Sequence, residues 1–147
     1  MKVKIITGCF LLLLVVTSCS SIIYAIRGPK YKGKFDKTTL PNELDLTSYY
    51  YTVHDYGDKY FDYRKFNNNG TYYGYTSVGK PMSIEELDTI PPFQNYFVFK
   101  NGYLMWEIYH DSYNGYNLFK ASVYQDSIVA WQIGNKRATI KTYYKMK

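Results

Sequence analysis

Two histidines in the 147-residue chain each stand directly before an aspartate, as His54-Asp55 and His110-Asp111. Each is followed six residues on by a tyrosine, Tyr60 and Tyr116. A His–Asp couple can orient a general base or supply part of a metal shell. Adjacent residues of a strand point to opposite faces, so an extended backbone holds neither pair on one surface. Both pairs also sit where an aromatic run gives way to turn residues, where polar side chains are expected in any case. Two histidines would need a carboxylate partner and an open position to make a catalytic metal site. Asp58, Asp62, Glu85, Glu86, Asp88 and Glu107 have no spacing that singles out two facing carboxylates of the glycosidase kind. No serine stands in a Gly-x-Ser-x-Gly elbow, and no Gly-rich loop could cradle phosphate. The expectation is a protein without enzymatic chemistry, metal or other cofactor.

The cysteines carry a firmer message. Lys2 and Lys4 give a positive start, Ile5 to Val16 is an apolar run broken only by Thr7, Gly8 and Cys9, and Thr17-Ser18 are small. Charge, apolar run and small residues together make an export signal. The run is shorter than the roughly 20 apolar residues a spanning helix takes. Leu14-Val15-Val16-Thr17-Ser18-Cys19 resembles a bacterial lipobox: an aliphatic residue, two small residues, then the cysteine. The resemblance to bacterial lipoproteins implies that residues 1–18 are removed. The Cys19 thiolate then takes a diacylglyceryl group as a thioether, and acyl chains such as palmitate hold the product in a membrane. Each buried methylene contributes about 0.8 kcal/mol, and two chains suffice for stable anchoring. Ser20, where an Asp would retain the product at the inner membrane, implies a lipid-anchored protein of the outer membrane in the cell envelope. The rival is an uncleaved spanning helix, since Ile22, Ile23, Ala25 and Ile26 extend the apolar stretch to Arg27. That helix would carry Thr17-Ser18-Cys19-Ser20-Ser21 in its middle.

Three parts follow: residues 1–18 as signal peptide, 19–46 as lipidated N-terminus, tether and lead-in, and 47–147 as a single β domain. With Cys9 removed and Cys19 acylated, no thiol is left to oxidise, so packing alone must stabilise the domain. Loss of Lys2 and Lys4 takes Lys+Arg from 18 to 16 against 12 acidic residues, a balance of +4. The positive charge gathers at the two ends, in Arg27, Lys30, Lys32, Lys34 and Lys37, then Lys136, Arg137, Lys141, Lys145 and Lys147. Beside a lipid anchor such residues suit anionic headgroups. An exported chain is not expected to meet nucleic acid.

Tyrosine dominates the composition, at 19 of 147 residues. It is a strand former with a polar handle. The extended runs are Thr47–His54, Lys59–Phe66, Thr71–Thr76, Asn95–Lys100, Tyr103–His110, Tyr116–Tyr124, Ser127–Ile133 and Arg137–Tyr144. Asn67-Asn68-Asn69-Gly70 and Asn101-Gly102 are hairpin turns, because Asn and Gly tolerate positive φ. Ser83 with Glu86 three residues on reads as a capping box, giving one short helix near 83–88 before Pro91-Pro92. About eight strands on tight turns predict an all-β antiparallel meander forming a small barrel or sandwich. The repeated aromatic strand, Asn-Gly turn and Tyr strand between Tyr49 and Lys145 resembles the small lipocalin-like β-barrels of bacterial lipoproteins.

Alternation assigns Leu104, Trp106 and Ile108, then Phe119, Ala121 and Val123, then Val129, Trp131 and Ile133 to the core. Tyr103, Met105, Glu107 and Tyr109 should then point away from it. Tyr103, Tyr109, His110, Tyr113 and Tyr116 form the candidate ligand or partner surface, centred on the loop Asp111–Tyr116. Rigid amphipathic tyrosines suit a glycan, a lipid or an envelope protein. The function expected is a membrane-anchored binding or interaction module. A structural envelope lipoprotein without a small ligand is the alternative, and an envelope hydrolase a distant third.

Overall fold

The computed structural model describes residues 29–110, 115–134 and 140–147. Eight antiparallel strands succeed one another: β1 (Tyr50–Asp55), β2 (Lys59–Phe66), β3 (Thr71–Val78), β4 (Gln94–Lys100), β5 (Tyr103–His110), β6 (Gly115–Val123), β7 (Ser127–Gln132) and β8 (Lys141–Lys145). Each pairs with its sequence neighbour, and β8 returns to β1 with Lys145 opposite Tyr50, so the sheet closes into a barrel rather than a sandwich. Closure agrees with the architecture implied by the lipocalin-like resemblance. The Asn101-Gly102 turn has φ of 53° and 78°, the two left-handed residues that a type I′ hairpin requires. One short helix, α1 (Ile84–Thr89), stands between β3 and β4. Ser83 Oγ accepts from the Glu86 N–H at 3.2 Å, and the Glu86 carboxylate accepts from the Ser83 N–H at 2.8 Å, completing the capping box.

One end of the barrel interior is packed with aromatic rings. Trp106 stacks on Phe119 at 5.5 Å and meets Phe66, Tyr72 and Tyr143 edge-on at 5.9–6.4 Å. Such geometry suits the ring quadrupole. Tyr50, Phe97, Leu104, Ala121, Ile128, Ala130 and, from the segment before β1, Leu44 complete this core.

The face of β7 is the reverse of the one expected. Ile128 and Ala130 are buried inside, while Val129 and Trp131 lie on the outer wall and Ile133 is exposed. Register decides this: Ala121 faces Ala130 and Val123 faces Ile128, so the even residues of β7 share the interior with the odd residues of β6. The run Ile128-Val129-Ala130-Trp131 is apolar on both faces, and alternation could not choose between them.

The tether and lead-in expected within residues 19–46 is, from Pro29 onward, part of the fold. Tyr31 is buried, and its backbone N–H donates to Glu107 Oε1 at 3.4 Å on the outer side of β5. Phe35 packs edge-on against Phe97 at 5.2 Å and covers Gly70, whose φ of 82° and close neighbour both exclude a side chain. Glu107 points away from the barrel core as expected, but beneath this segment it is only 2 % exposed.

A second buried cluster lies outside the barrel. The outward residues Tyr49 and Tyr63, with partly buried Tyr51, Phe61 and Tyr75, pack against Leu87, Ile84 and Met82 of α1 and its approach. Tyr49 Oη donates to Asp88 at 2.7 Å, and the Met82 N–H donates to Tyr63 Oη at 2.7 Å. Tyr50 on the inner face of β1 and Tyr51 and Tyr63 on the outer faces of β1 and β2 therefore serve two cores.

Candidate functional site

The other end of the interior is polar. Asp62 and Arg64 are two residues apart on β2, so both side chains point inward. Arg64 Nη1 and Nη2 donate to Asp62 Oδ1 and Oδ2 at 2.7 and 2.9 Å, a bidentate pair. Thr76 Oγ1 and Tyr143 Oη each add a donor to Asp62 at 3.1 Å. Burial opposes the guanidinium charge, but the surrounding Tyr143, Asp62 and Tyr72 outweigh it and Arg64 stays protonated. His54 and Lys141 belong to the same electrostatic group. Burial, and then Lys141, lower the His54 pKa from its ordinary value. Burial lowers that of Lys141, with Asp62 opposing and Arg64 reinforcing the shift. His54 Nε2 and Arg64 Nε are buried without a hydrogen-bond partner among the described residues.

The barrel is closed, but among the described residues its wall is thin beside this group. β4 pairs with β3 only from Thr71 to Tyr73, and with β5 only from Tyr103 to Trp106. Above these points no strand among the described residues joins β3 to β5. The gap forms a cleft of about 170 Å³ lined by Arg64, Tyr72, Gly74, Thr76, Asn95 and Ile108, with Phe93 at its lip. A Cβ on Gly74 would come within 3.0 Å of Arg64 Nη1, so glycine at this position leaves room for the guanidinium.

A separate cleft of about 590 Å³ runs along the outer wall of β5 to β7. Tyr103 and Trp131 meet edge-on at 5.9 Å, and the Lys120 ammonium lies 3.6 Å from the Tyr103 ring centre. The alternation of β5, β6 and β7 puts all three on one outer surface, with Met105 beside them and Lys100 and Asn101 at the rim. A cation over an aromatic face is attracted by the ring quadrupole, by about 0.5–1 kcal/mol where exposed.

Of the five residues proposed as one surface, Tyr103 belongs to this outer cleft. Tyr109 and His110 pair in register with Tyr116 and Gly115 at the far end of β5. Six residues of strand separate Tyr103 from Tyr109, about 20 Å, so the set is not one site. Tyr116 instead helps to line a small recess with Pro29, Phe93, Tyr96 and Glu107. Tyr113 and Cys19 lie outside the described residues, as does most of the loop Asp111–Tyr116. Among the described residues, no three His, Cys, Asp or Glu side chains are grouped to hold a metal ion. No described helix is long and apolar enough to cross a membrane.

Sequence reasoning missed Arg64, Lys120, Lys141 and the role of Trp131. Two of these had a readable signature: Asp62-x-Arg64 and Lys141-x-Tyr143 each place two polar groups on one face of a strand. The chain matches no family model, no curated protein and no solved structure.

Proposed function

We propose that the chain is a membrane-anchored cell-envelope lipoprotein, held in the outer membrane by acyl chains on Cys19. Its barrel acts as a binding module through the Tyr103–Lys120–Trp131 cleft. The observation that carries this reading is the outward Trp131. A large aromatic on the outer wall, edge-on to Tyr103 and next to a lysine, offers an apolar face and a charged rim together. That combination suits a glycan ring, which presents C–H bonds to an aromatic face and hydroxyls to its surroundings. The filled apolar end of the barrel favours binding at the wall over swallowing a lipid tail.

The test is a fluorescence titration of the full chain in detergent micelles against panels of glycans and lipids. Trp106 is fully buried, so a ligand-dependent change belongs chiefly to Trp131. A saturable shift with a glycan that is lost in Trp131→Ala supports the reading. Absence of any shift would leave the second reading, a structural envelope lipoprotein without a small ligand, which the same aromatic filling of the barrel favours.

A further inference from the structure

We infer that the gap in the barrel wall between β3 and β5 is a binding site for a small monoanionic carboxylate, with its charged end at Arg64 and a short apolar tail against Ile108 and Phe93. The site is independent of the outer cleft and shares no residue with it.

Charge balance points to an anion. The polar end of the interior holds Arg64 and Lys141 against the single carboxylate of Asp62. Asp62 is already saturated, accepting from Arg64 twice and from Thr76 and Tyr143 once each. Among the described residues, Lys141 has no carboxylate at ion-pair distance, and Asp62 is Arg64's one such partner. Among the described residues one positive charge, that of the half-buried Lys141, is thus left without an ion-pair partner, and a partly desolvated charge favours a nearby counter-ion. His54, which faces the same group, adds a further polar edge with a bare Nε2.

Geometry points to where the anion enters. Arg64 is 6 % exposed, yet its Nε has no hydrogen-bond partner and the residue lines the cleft. Two of its five N–H bonds are spent on Asp62 and one on the Tyr63 carbonyl, so donors remain for a carboxylate oxygen. The cleft is small, about 170 Å³, and suits an occupant of few heavy atoms. One surplus charge calls for a monoanion. Beside the polar Thr76 and Asn95 the lining holds Ile108, with Phe93 at 67 % exposure, which gives a short hydrocarbon tail an apolar contact and offers no partner for a second charge.

The experiment titrates the full chain in detergent micelles with propionate, with neutral propionamide and with inorganic phosphate. Binding is followed by calorimetry and by the NMR signal of the Arg64 Nε–H. Propionate should bind saturably and move that signal. Propionamide and phosphate should each bind at least tenfold more weakly. Lys141→Met should weaken propionate at least tenfold while keeping a urea midpoint equal to or above that of the parent protein. No saturable shift, propionamide or phosphate within tenfold of propionate, undiminished binding by Lys141→Met, or a Lys141→Met protein that fails to fold would each overturn the inference.

Discussion

Arg64 and Asp62 form a bidentate ion pair two residues apart on one strand, inside the barrel, with Nη1–Oδ1 at 2.7 Å and both side chains less than a tenth exposed. Removing one member of a buried pair typically costs about 3–5 kcal/mol, because the other charge is left bare. The two removals should differ here. Asp62→Asn leaves Arg64 facing Lys141 with no carboxylate between them. Arg64→Met leaves Asp62 with Thr76, Tyr143 and the Lys141 charge. Urea denaturation should show Asp62→Asn as the more destabilising change. The reverse order would mean that Lys141 does not sense the pair.

His54 should make the fold sensitive to mild acid. Burial and Lys141 hold its folded pKa below 6.5, so between that lowered value and 6.5 the unfolded chain binds more protons than the folded one. Stability on this account falls as pH drops through the window. His54→Gln should therefore lose less of its urea midpoint between pH 7.5 and pH 5.5 than the parent protein does. An equal or steeper loss would show that His54 titrates as a solvated imidazole.

Glu107 works in the opposite sense. Burial raises its carboxyl pKa, and the backbone amides of Lys30 and Tyr31 offset this only in part. Oε2 has no hydrogen-bond partner among the described residues. Above the ordinary carboxyl value the unfolded chain releases the proton more readily, so ionisation weakens the fold at neutral pH. Glu107→Gln keeps the acceptor for Tyr31 and removes the charge. It should stabilise by about 1 kcal/mol at pH 7, the order of one hydrogen-bond difference. The gain should shrink as pH falls toward 4, as read by thermal melts across that range. A destabilised variant at pH 7 would mean that the charge has a partner.

Leu87 is fully buried where α1 meets the tyrosines outside β1 and β2. Leu87→Ala should cost about 2–5 kcal/mol, as for other buried leucines. The loss should appear in near-UV circular dichroism as altered Tyr49 and Tyr63 signals, with strand content unchanged. A cost under about 1 kcal/mol would show that α1 is a loose cover rather than half of a second core.

Strand number, most turns and the capped helix were legible because each rests on local chemistry: Asn101-Gly102 for the hairpin, Ser83 with Glu86 for the cap. The face of β7 was not, because Val129 and Trp131 are as apolar as Ile128 and Ala130, and only pairing with β6 decides between them. The polar site was half legible. Asp62 was noticed and set aside for want of a carboxylate partner, while its true partner was the arginine two residues on. Lys141 reaches the same interior from a strand some 80 positions away, which needs barrel closure to be seen. The tyrosines of β5 and β6 read as one binding face because alternation puts them on the same side of the sheet, but Tyr103 and Tyr109 stand about 20 Å apart along the strand.

The central claim is that this barrel stands outside the cytoplasm on a lipid-modified sulfur. Intact-mass spectrometry of the protein extracted from cell membranes measures that most directly. The account predicts a chain beginning at Cys19 and carrying the mass of a diacylglyceryl group, lost from the membrane fraction in Cys19→Ala. An unmodified chain beginning at Met1 and retained in the membrane would contradict it.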